Sequence, residues 1–363
     1  LLHAQKWDDK AFKFLEKMIS KCPSYAKGHG LVPTVCDVGL FETIWMMQSI
    51  VELCLNIRGD KKINLKHISI KKLFSKNLVF IKYLTALSKE HGGTIGWTSW
   101  DNKIPKDADD STVCNWVIKK FNSNSTVDLN IIAKNFYNGK YFITFPNERN
   151  FSISCNVHAL NLFVLEYQSL QPNNQMIEIS TSNTGSIRKV KLEEIIVTET
   201  NFLISQRQED GAWFDKWHKS PAYPTFKAIE LLLSLQEHPN LCAKLGLINE
   251  LCRNYCRKSI DWALSTQHND GSWGEPSITG PGNLEETSYI VRLLKTASNN
   301  WSDDKVIQSA LYNGRKYLIK HLDESIMDQG YFNTKQPFLW IGKQYYTVSR
   351  VIKSSILACL WED

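Results

Sequence analysis

Three carboxyls stand within four residues at Asp107, Asp109 and Asp110. They close the run Gly96-Trp97-Thr98-Ser99-Trp100-Asp101-Asn102-Lys103-Ile104-Pro105-Lys106-Asp107-Ala108-Asp109-Asp110-Ser111-Thr112, behind Gly-Trp and ahead of an apolar stretch. Like charges that close cannot all ionise cheaply once partly buried, so at least one carboxyl keeps its proton near neutral pH. A proton held beside aromatic, water-poor space is what protonating a carbon–carbon double bond requires. The same acids also suit a helix start, where they favour the positive end of the dipole.

The chain of 363 residues has room for one large domain or two ordinary ones. With hydrophobics at 43% and charged residues at 22%, it reads as soluble and globular. Twelve Trp suggest aromatic-lined space. The net charge of +6 is spread along the chain, and the densest basic run, between Lys61 and Lys72, reads as a solvated loop and helix edge. Nothing resembles a nucleic-acid module. The nine Cys are scattered without a CxxC spacing, which fits reduced, buried thiols in a cytoplasmic protein. No apolar run is long enough to span a bilayer. The chain opens at Leu1 in what reads as mid-helix sequence, so an N-terminal segment is expected to precede it.

The elements that must hold the acids are helical. Phe41 to Leu55, Phe226 to Leu235, Leu247 to Ala263, Ser288 to Leu294 and Val351 to Trp361 carry apolar residues at helical spacing, and clean two-residue alternation is scarce. An internal repeat is visible. Gly211-Ala212-Trp213, Gly271-Ser272-Trp273 and Gly330-Tyr331 each precede a polar or Pro-containing loop and an apolar helix, and Gly93-Thr94-Ile95-Gly96-Trp97 is a looser first copy. Trp213 and Trp273 lie 60 positions apart, the length of two helices and their loops. Helix pairs repeating this way close into a solenoid or toroid. The expected fold is all-α, an α/α barrel made of a double ring of helices. Gln206 and Gln267 ahead of the repeat glycines suit bonds to helix-end backbone groups. Residues 173–190 lack pattern and read as a surface loop.

These motifs, in this order, resemble the class II terpene cyclases, of the microbial (bacterial or fungal) copalyl diphosphate synthase type. Val32-Pro33-Thr34-Val35-Cys36-Asp37-Val38-Gly39-Leu40-Phe41-Glu42-Thr43-Ile44-Trp45 is similar to the passage from their γ domain into their β domain. Asp107-Ala108-Asp109-Asp110 matches their DxDD motif, and Ser154-Cys155-Asn156-Val157-His158 resembles the Asn-containing helix that faces it. Trp213-Phe214-Asp215-Lys216-Trp217-His218 resembles an Asp-Lys-Trp-His segment. Gly271-Ser272-Trp273-Gly274 with Glu285-Glu286-Thr287-Ser288-Tyr289 fits, as does Leu339-Trp340-Ile341-Gly342-Lys343-Gln344-Tyr345-Tyr346-Thr347. The resemblance implies that residues 1–38 are the end of a γ domain, most of which lies outside the chain, and that 39–363 form the β-domain barrel.

The resemblance further implies an acid-initiated bicyclisation of geranylgeranyl diphosphate to a copalyl-, halimadienyl- or clerodane-type diphosphate, with the diphosphate retained. Asp109 would protonate the terminal alkene, and Asp107 and Asp110 would set its proton geometry. Asn156 is the expected donor fixing which oxygen carries the proton. Trp97, Trp100, Trp217, Tyr289, Trp340 and Tyr345 are candidates for cation–π shielding of the carbocation, and Lys216 and Lys343 for the diphosphate, with Mg2+ accompanying it. Plant relatives have Asn where Thr34 stands, so Thr34 is the termination-site candidate and the product is left open. His158 and His218 read as polar packing. No dedicated metal site is expected, since Asp303-Asp304-Lys305-Val306-Ile307 lacks the last acid of a DDxxD and no diphosphate ionisation follows. The expected partners are a prenyl diphosphate substrate and a downstream class I terpene synthase, separate or fused. Other readings are a cyclase of farnesyl diphosphate or of a prenylated aromatic, an α/α-barrel glycosidase with a second acid across a polar cleft, and a non-catalytic toroid.

Overall fold

The computed structural model describes residues 39–59, 68–98, 104–170, 175–180, 186–246, 249–274, 282–325, 339–341 and 348–360. The γ-domain expectation for residues 1–38, and with it Thr34, lies outside the described residues, as do Trp100, Lys343, Tyr345 and the Gly330-Tyr331 repeat. The described residues hold twelve α-helices. They are α1 (Gly39–Gly59), α2 (Ile68–Glu90), α3 (Ala108–Phe121), α4 (Leu129–Phe136), α5 (Ile153–Ser169), α6 (Leu192–Ser205), α7 (Ala222–Ser234), α8 (Pro239–Lys244), α9 (Asn249–Ser265), α10 (Leu284–Ser298), α11 (Lys305–Ser325) and α12 (Ser349–Leu360).

Six of them close a ring: α1 packs on α3, α3 on α5, α5 on α7, α7 on α10, α10 on α12, and α12 returns to α1. Between successive inner helices the chain steps outward, so that α2, α4, α6, α9 and α11 lean on the ring from outside. This is the α/α barrel expected from the helix-pair repeat. Burial separates the layers. Every residue of α3 from Ala108 to Lys119 is buried. Helix α11 buries Ile307, Ala310, Leu311 and Leu318 and exposes Val306, Tyr312 and Ile319, the one-sided stripe of an outer helix. No helix among the described residues is long and apolar enough to cross a membrane.

The repeat tryptophans hold equivalent places. Trp213 Nε1 donates to the Leu203 carbonyl at 2.9 Å and Trp273 Nε1 to the Ala263 carbonyl at 2.7 Å, each near the end of the preceding outer helix. Their backbone N–H groups donate to Thr225 and Thr287 in the first turn of the next inner helix. Gly211 and Gly271 adopt φ values of 105° and 90°, and a Cβ there would meet the Lys258 and Asn313 carbonyl oxygens at 2.6 Å. Only glycine fits both conditions. Gln267 bonds the Gly271 and Ala310 carbonyls, as its structural reading required, whereas Gln206 donates to the neighbouring Ser205 hydroxyl.

One segment differs from its sequence reading. The stretch 173–190, read as a surface loop, carries most of an antiparallel hairpin of β1 (Met176–Ser180) and β2 (Ile187–Lys191), with Ile177 opposite Val190. Ile177 and Ile179 alternate with more exposed neighbours and are buried as β1 packs on α4, a period-two signal obscured by polar surroundings. Cys114, Cys155, Cys242, Cys256 and Cys359 are buried free thiols, as expected of them.

Candidate active site

The acids sit where the inner helices begin. Asp107 is the N-cap of α3, and its Oδ1 accepts from the Asp110 N–H at 2.7 Å. Its own N–H donates to the Ile95 carbonyl and that of Ala108 to the Thr144 carbonyl, so both flanking loops hold the helix start. Burial, then the charges of Asp110 and Asp109, push the Asp107 carboxyl well above its ordinary range. Its Oδ2 is buried without a hydrogen-bond partner. Asp109 is the most open of the three at 8% exposure, against 1% for Asp107 and 5% for Asp110.

A chain of hydrogen bonds runs from Asp109 into the barrel. His158 Nδ1, in the second turn of α5, lies 2.6 Å from Asp109 Oδ1. His158 Nε2 is 2.9 Å from the Tyr223 hydroxyl on α7, which accepts from Trp45 Nε1 on α1 at 2.9 Å. Burial and the Asp109 charge raise the Tyr223 phenol well above its ordinary range, so it remains a neutral O–H. Four inner helices thus meet through side chains. Asp215 holds the helix that carries His158. Its carboxylate accepts from the Ile153 N–H at 2.7 Å, the Ser152 hydroxyl at 2.8 Å and the Ser154 hydroxyl at 2.9 Å, capping the positive end of α5.

Asn156 requires a correction. Its Oδ1 accepts from the Phe142 N–H at 2.7 Å, and its Nδ2 donates to the Phe142 and Ser152 carbonyls. Both amide hydrogens are engaged, so the partner of the acid is His158, two residues on.

The aromatic candidates fall into two groups. Trp340 meets Tyr223 at 4.9 Å, His218 at 5.0 Å and Phe41 at 5.2 Å, all edge-on, and Tyr289 meets Tyr223 at 5.0 Å. This buried cluster encloses Glu285, whose Oε1 accepts from Trp340 Nε1 at 2.8 Å and from the Tyr289 hydroxyl at 3.1 Å. Trp97 and Trp217 are half-buried and each meets Phe145 edge-on, at 5.8 and 6.3 Å, in a separate group. The Asp-Lys-Trp-His segment and the Leu-Trp-Ile segment are brought together. Ile341 N donates to the Trp217 carbonyl and Lys219 N to that of Leu339, so that His218 and Trp340 form a bridge.

Lys216 is occupied within the protein. Its Nζ donates to the Asn150 carbonyl at 2.6 Å and pairs with Glu148 at 2.5 Å, which fastens two loops rather than presenting a free cation. Among the described residues no group of three or more His, Cys, Asp or Glu could hold a metal ion. A cavity of about 910 Å3 opens at the far end of the ring, lined by Trp116, Gln168, Glu230 and Lys295 among others. Glu52 and Arg292 are also in its lining, and Glu52 pairs with both Arg292 and Lys227. Burial alone would raise Glu52, but Lys227 and Arg292 outweigh it and hold the carboxyl below its ordinary range. The acid chain does not reach that cavity.

The arrangement is that of an α/α barrel with a hydrogen-bonded carboxyl at the start of an inner helix and a buried aromatic cluster beside it. Residues 176–302 match the family of the Squalene-hopene cyclase C-terminal domain. The ent-copalyl diphosphate synthase of Streptomyces sp. (strain KO-3988) is 28% identical over 257 residues, covering 71% of this chain and 41% of that protein. The structure of ent-copalyl diphosphate synthase from Streptomyces platensis superposes with a TM-score of 0.63 at 23% identity, over 93% of this chain and 54% of the other. An arginine-to-alanine variant of type II terpene cyclase MstE from Scytonema, solved with geranylgeranyl dihydroxybenzoate, gives a TM-score of 0.55 at 13% identity, with 90% of each chain covered. The sequence matches and the fold likeness alike are to class II terpene cyclases. The chain spans about two fifths of the first of these relatives.

Proposed function

We propose that the protein of which this chain is the barrel cyclises geranylgeranyl diphosphate by protonation, giving a bicyclic diphosphate with the diphosphate retained. The observation that carries this reading is the 2.6 Å contact between His158 Nδ1 and Asp109 Oδ1. With His158 as its Nδ1–H tautomer, it donates to Oδ1 while Nε2 accepts the Tyr223 O–H, and the hydroxyl in turn accepts from Trp45. Oδ2 is then left to carry the transferable proton. A donor on one oxygen of a carboxylic acid makes the proton on the other a better leaving proton, which an alkene, a very weak base, demands. Asp107, its carboxyl pushed well above the ordinary range by burial and by Asp110, caps the helix start. The aromatic faces of Trp340, Tyr223 and Tyr289 supply cation–π stabilisation once a carbocation forms. Magnesium would accompany the substrate diphosphate. The described residues contain no cluster of three or more His, Cys, Asp or Glu that could hold it.

A second reading is cyclisation of a prenylated aromatic. The engagement of Lys216 with Glu148 favours it, because that removes one of the cations expected for a diphosphate. Incubating the full-length protein with geranylgeranyl diphosphate, then dephosphorylating and identifying the alcohols by mass spectrometry and NMR, separates the readings. A bicyclic alcohol absent with Asp109→Asn supports the first. Recovery of geranylgeraniol alone, with turnover of geranylgeranyl dihydroxybenzoate, would replace it with the second.

A further inference from the structure

We infer that His218 is the base that ends the cyclisation. This rests on the reaction proposed above and names the group that reaction still lacks. Termination by proton loss needs a neutral base in a dry, aromatic space, close to a charge that can hold the proton once it is taken.

His218 meets each requirement. Its side chain is fully buried. Its Nδ1 lies 2.7 Å from the Ser220 carbonyl oxygen, which can only accept, so Nδ1 carries a hydrogen and the lone pair of the neutral ring stands on Nε2. Nε2 is buried and makes no hydrogen bond. Its polar neighbour is Glu285, in contrast to His158, both of whose nitrogens are hydrogen-bonded. Glu285 Oε1 lies 3.5 Å from Nε2, and its carboxylate would stabilise an imidazolium at that position. The ring is enclosed by Trp340 at 5.0 Å, Tyr223 at 5.6 Å and Tyr289 at 5.9 Å. These rings shield a cation from water. Tyr223 belongs to both systems, since it bonds His158 and stacks against His218. Tyr223 therefore links the partner of the acid to the base through one aromatic ring.

The step balances. A C–H bond next to the cationic carbon breaks, its electron pair becomes the new C=C bond, and the proton moves to Nε2. Asp109 recovers a proton from water and His218 releases one, so the product is an isomer of the substrate.

The test uses the full-length protein with His218→Asn, which keeps a donor where Nδ1 stands and removes Nε2, and with Glu285→Gln, which keeps an acceptor for Trp340 and Tyr289 and removes the charge. Folding is checked by circular dichroism and thermal melting. The expected result for His218→Asn is continued consumption of substrate, at least a tenfold fall in the wild-type alkene, and a hydroxylated or double-bond-shifted bicycle in its place. Glu285→Gln is expected to give the same shift in weaker form. An unchanged alkene from His218→Asn overturns the assignment. So does a folded variant that consumes no substrate, because loss of a terminating base leaves protonation intact. Wild-type protein that cyclises no prenyl substrate sinks the cyclase reading, and the base with it.

Discussion

Asp109 and His158 are 49 residues apart in the chain, yet Oδ1 of one and Nδ1 of the other are 2.6 Å apart across the junction of α3 and α5. The pair depends on two caps, Asp107 at the start of α3 and Asp215 at the start of α5. For the proposed reaction, Asp109→Asn should leave the fold intact and abolish cyclisation, with a melting temperature within a few degrees of wild type. His158→Phe, which keeps ring volume and loses both bonds, should slow turnover by about 100- to 10,000-fold, the usual range for a misplaced general acid. Single-turnover assays on both variants check this, and full activity in either removes that residue from the acid.

Asn156→Ala should act on stability. It would leave the Phe142 N–H unpaired and strip a donor from two buried carbonyls, at about 1–3 kcal/mol. The ring system of the product should not change. A product change at unaltered melting temperature would restore Asn156 to the chemistry.

Asp107 makes stability depend on pH. Its folded value is raised above the unfolded one, so its contribution is present below the unfolded value, near 4, and is lost as pH rises through the folded value. Asp107→Asn keeps an N-cap acceptor and cannot ionise. It should flatten the decline of stability with rising pH in denaturant titrations from pH 4 upward. Parallel curves for the two proteins would contradict a raised Asp107.

Gly211→Ala should be costly, since the new Cβ would lie 2.6 Å from the Lys258 carbonyl at a φ of 105°. Strain of this kind costs about 1–3 kcal/mol. The matching Gly271→Ala should cost a similar amount, because its environment repeats. Melting temperatures that fall for one and not the other would break the equivalence of the two units.

Lys216→Gln tests the loop-fastening role. It should lower the melting temperature modestly, and KM for a diphosphate substrate should stay within about threefold, as a partly exposed ion pair contributes about 0–1 kcal/mol. A KM increase of tenfold or more would return Lys216 to diphosphate binding.

Much of this was legible in the chain. Three acids behind Gly-Trp marked α3, and the spacing of Trp213 and Trp273 marked the double ring. The rotational phase of α5 was not legible. Residues two apart on a helix point about 200° apart, so Asn156 turns to Phe142 while His158 enters the barrel. Periodicity in a helix buried all round does not say which side faces the acid. Nor could local sequence show that Lys216 meets Glu148, or that Asp215 caps a helix begun 62 residues earlier. These partners are fixed by closure of the ring.

The hydrogen-bond chain from Asp109 ends at Trp45, whose indole N–H donates to Tyr223 and does not titrate near neutral pH. It is a brace and not a wire: no proton can be fed to the acid from the barrel interior along it. In the proposed reaction Asp109 is therefore a single-shot acid, reloaded through its own opening once that opening is clear. Recharging and product departure become one event, and a second substrate cannot be fired upon until water has visited.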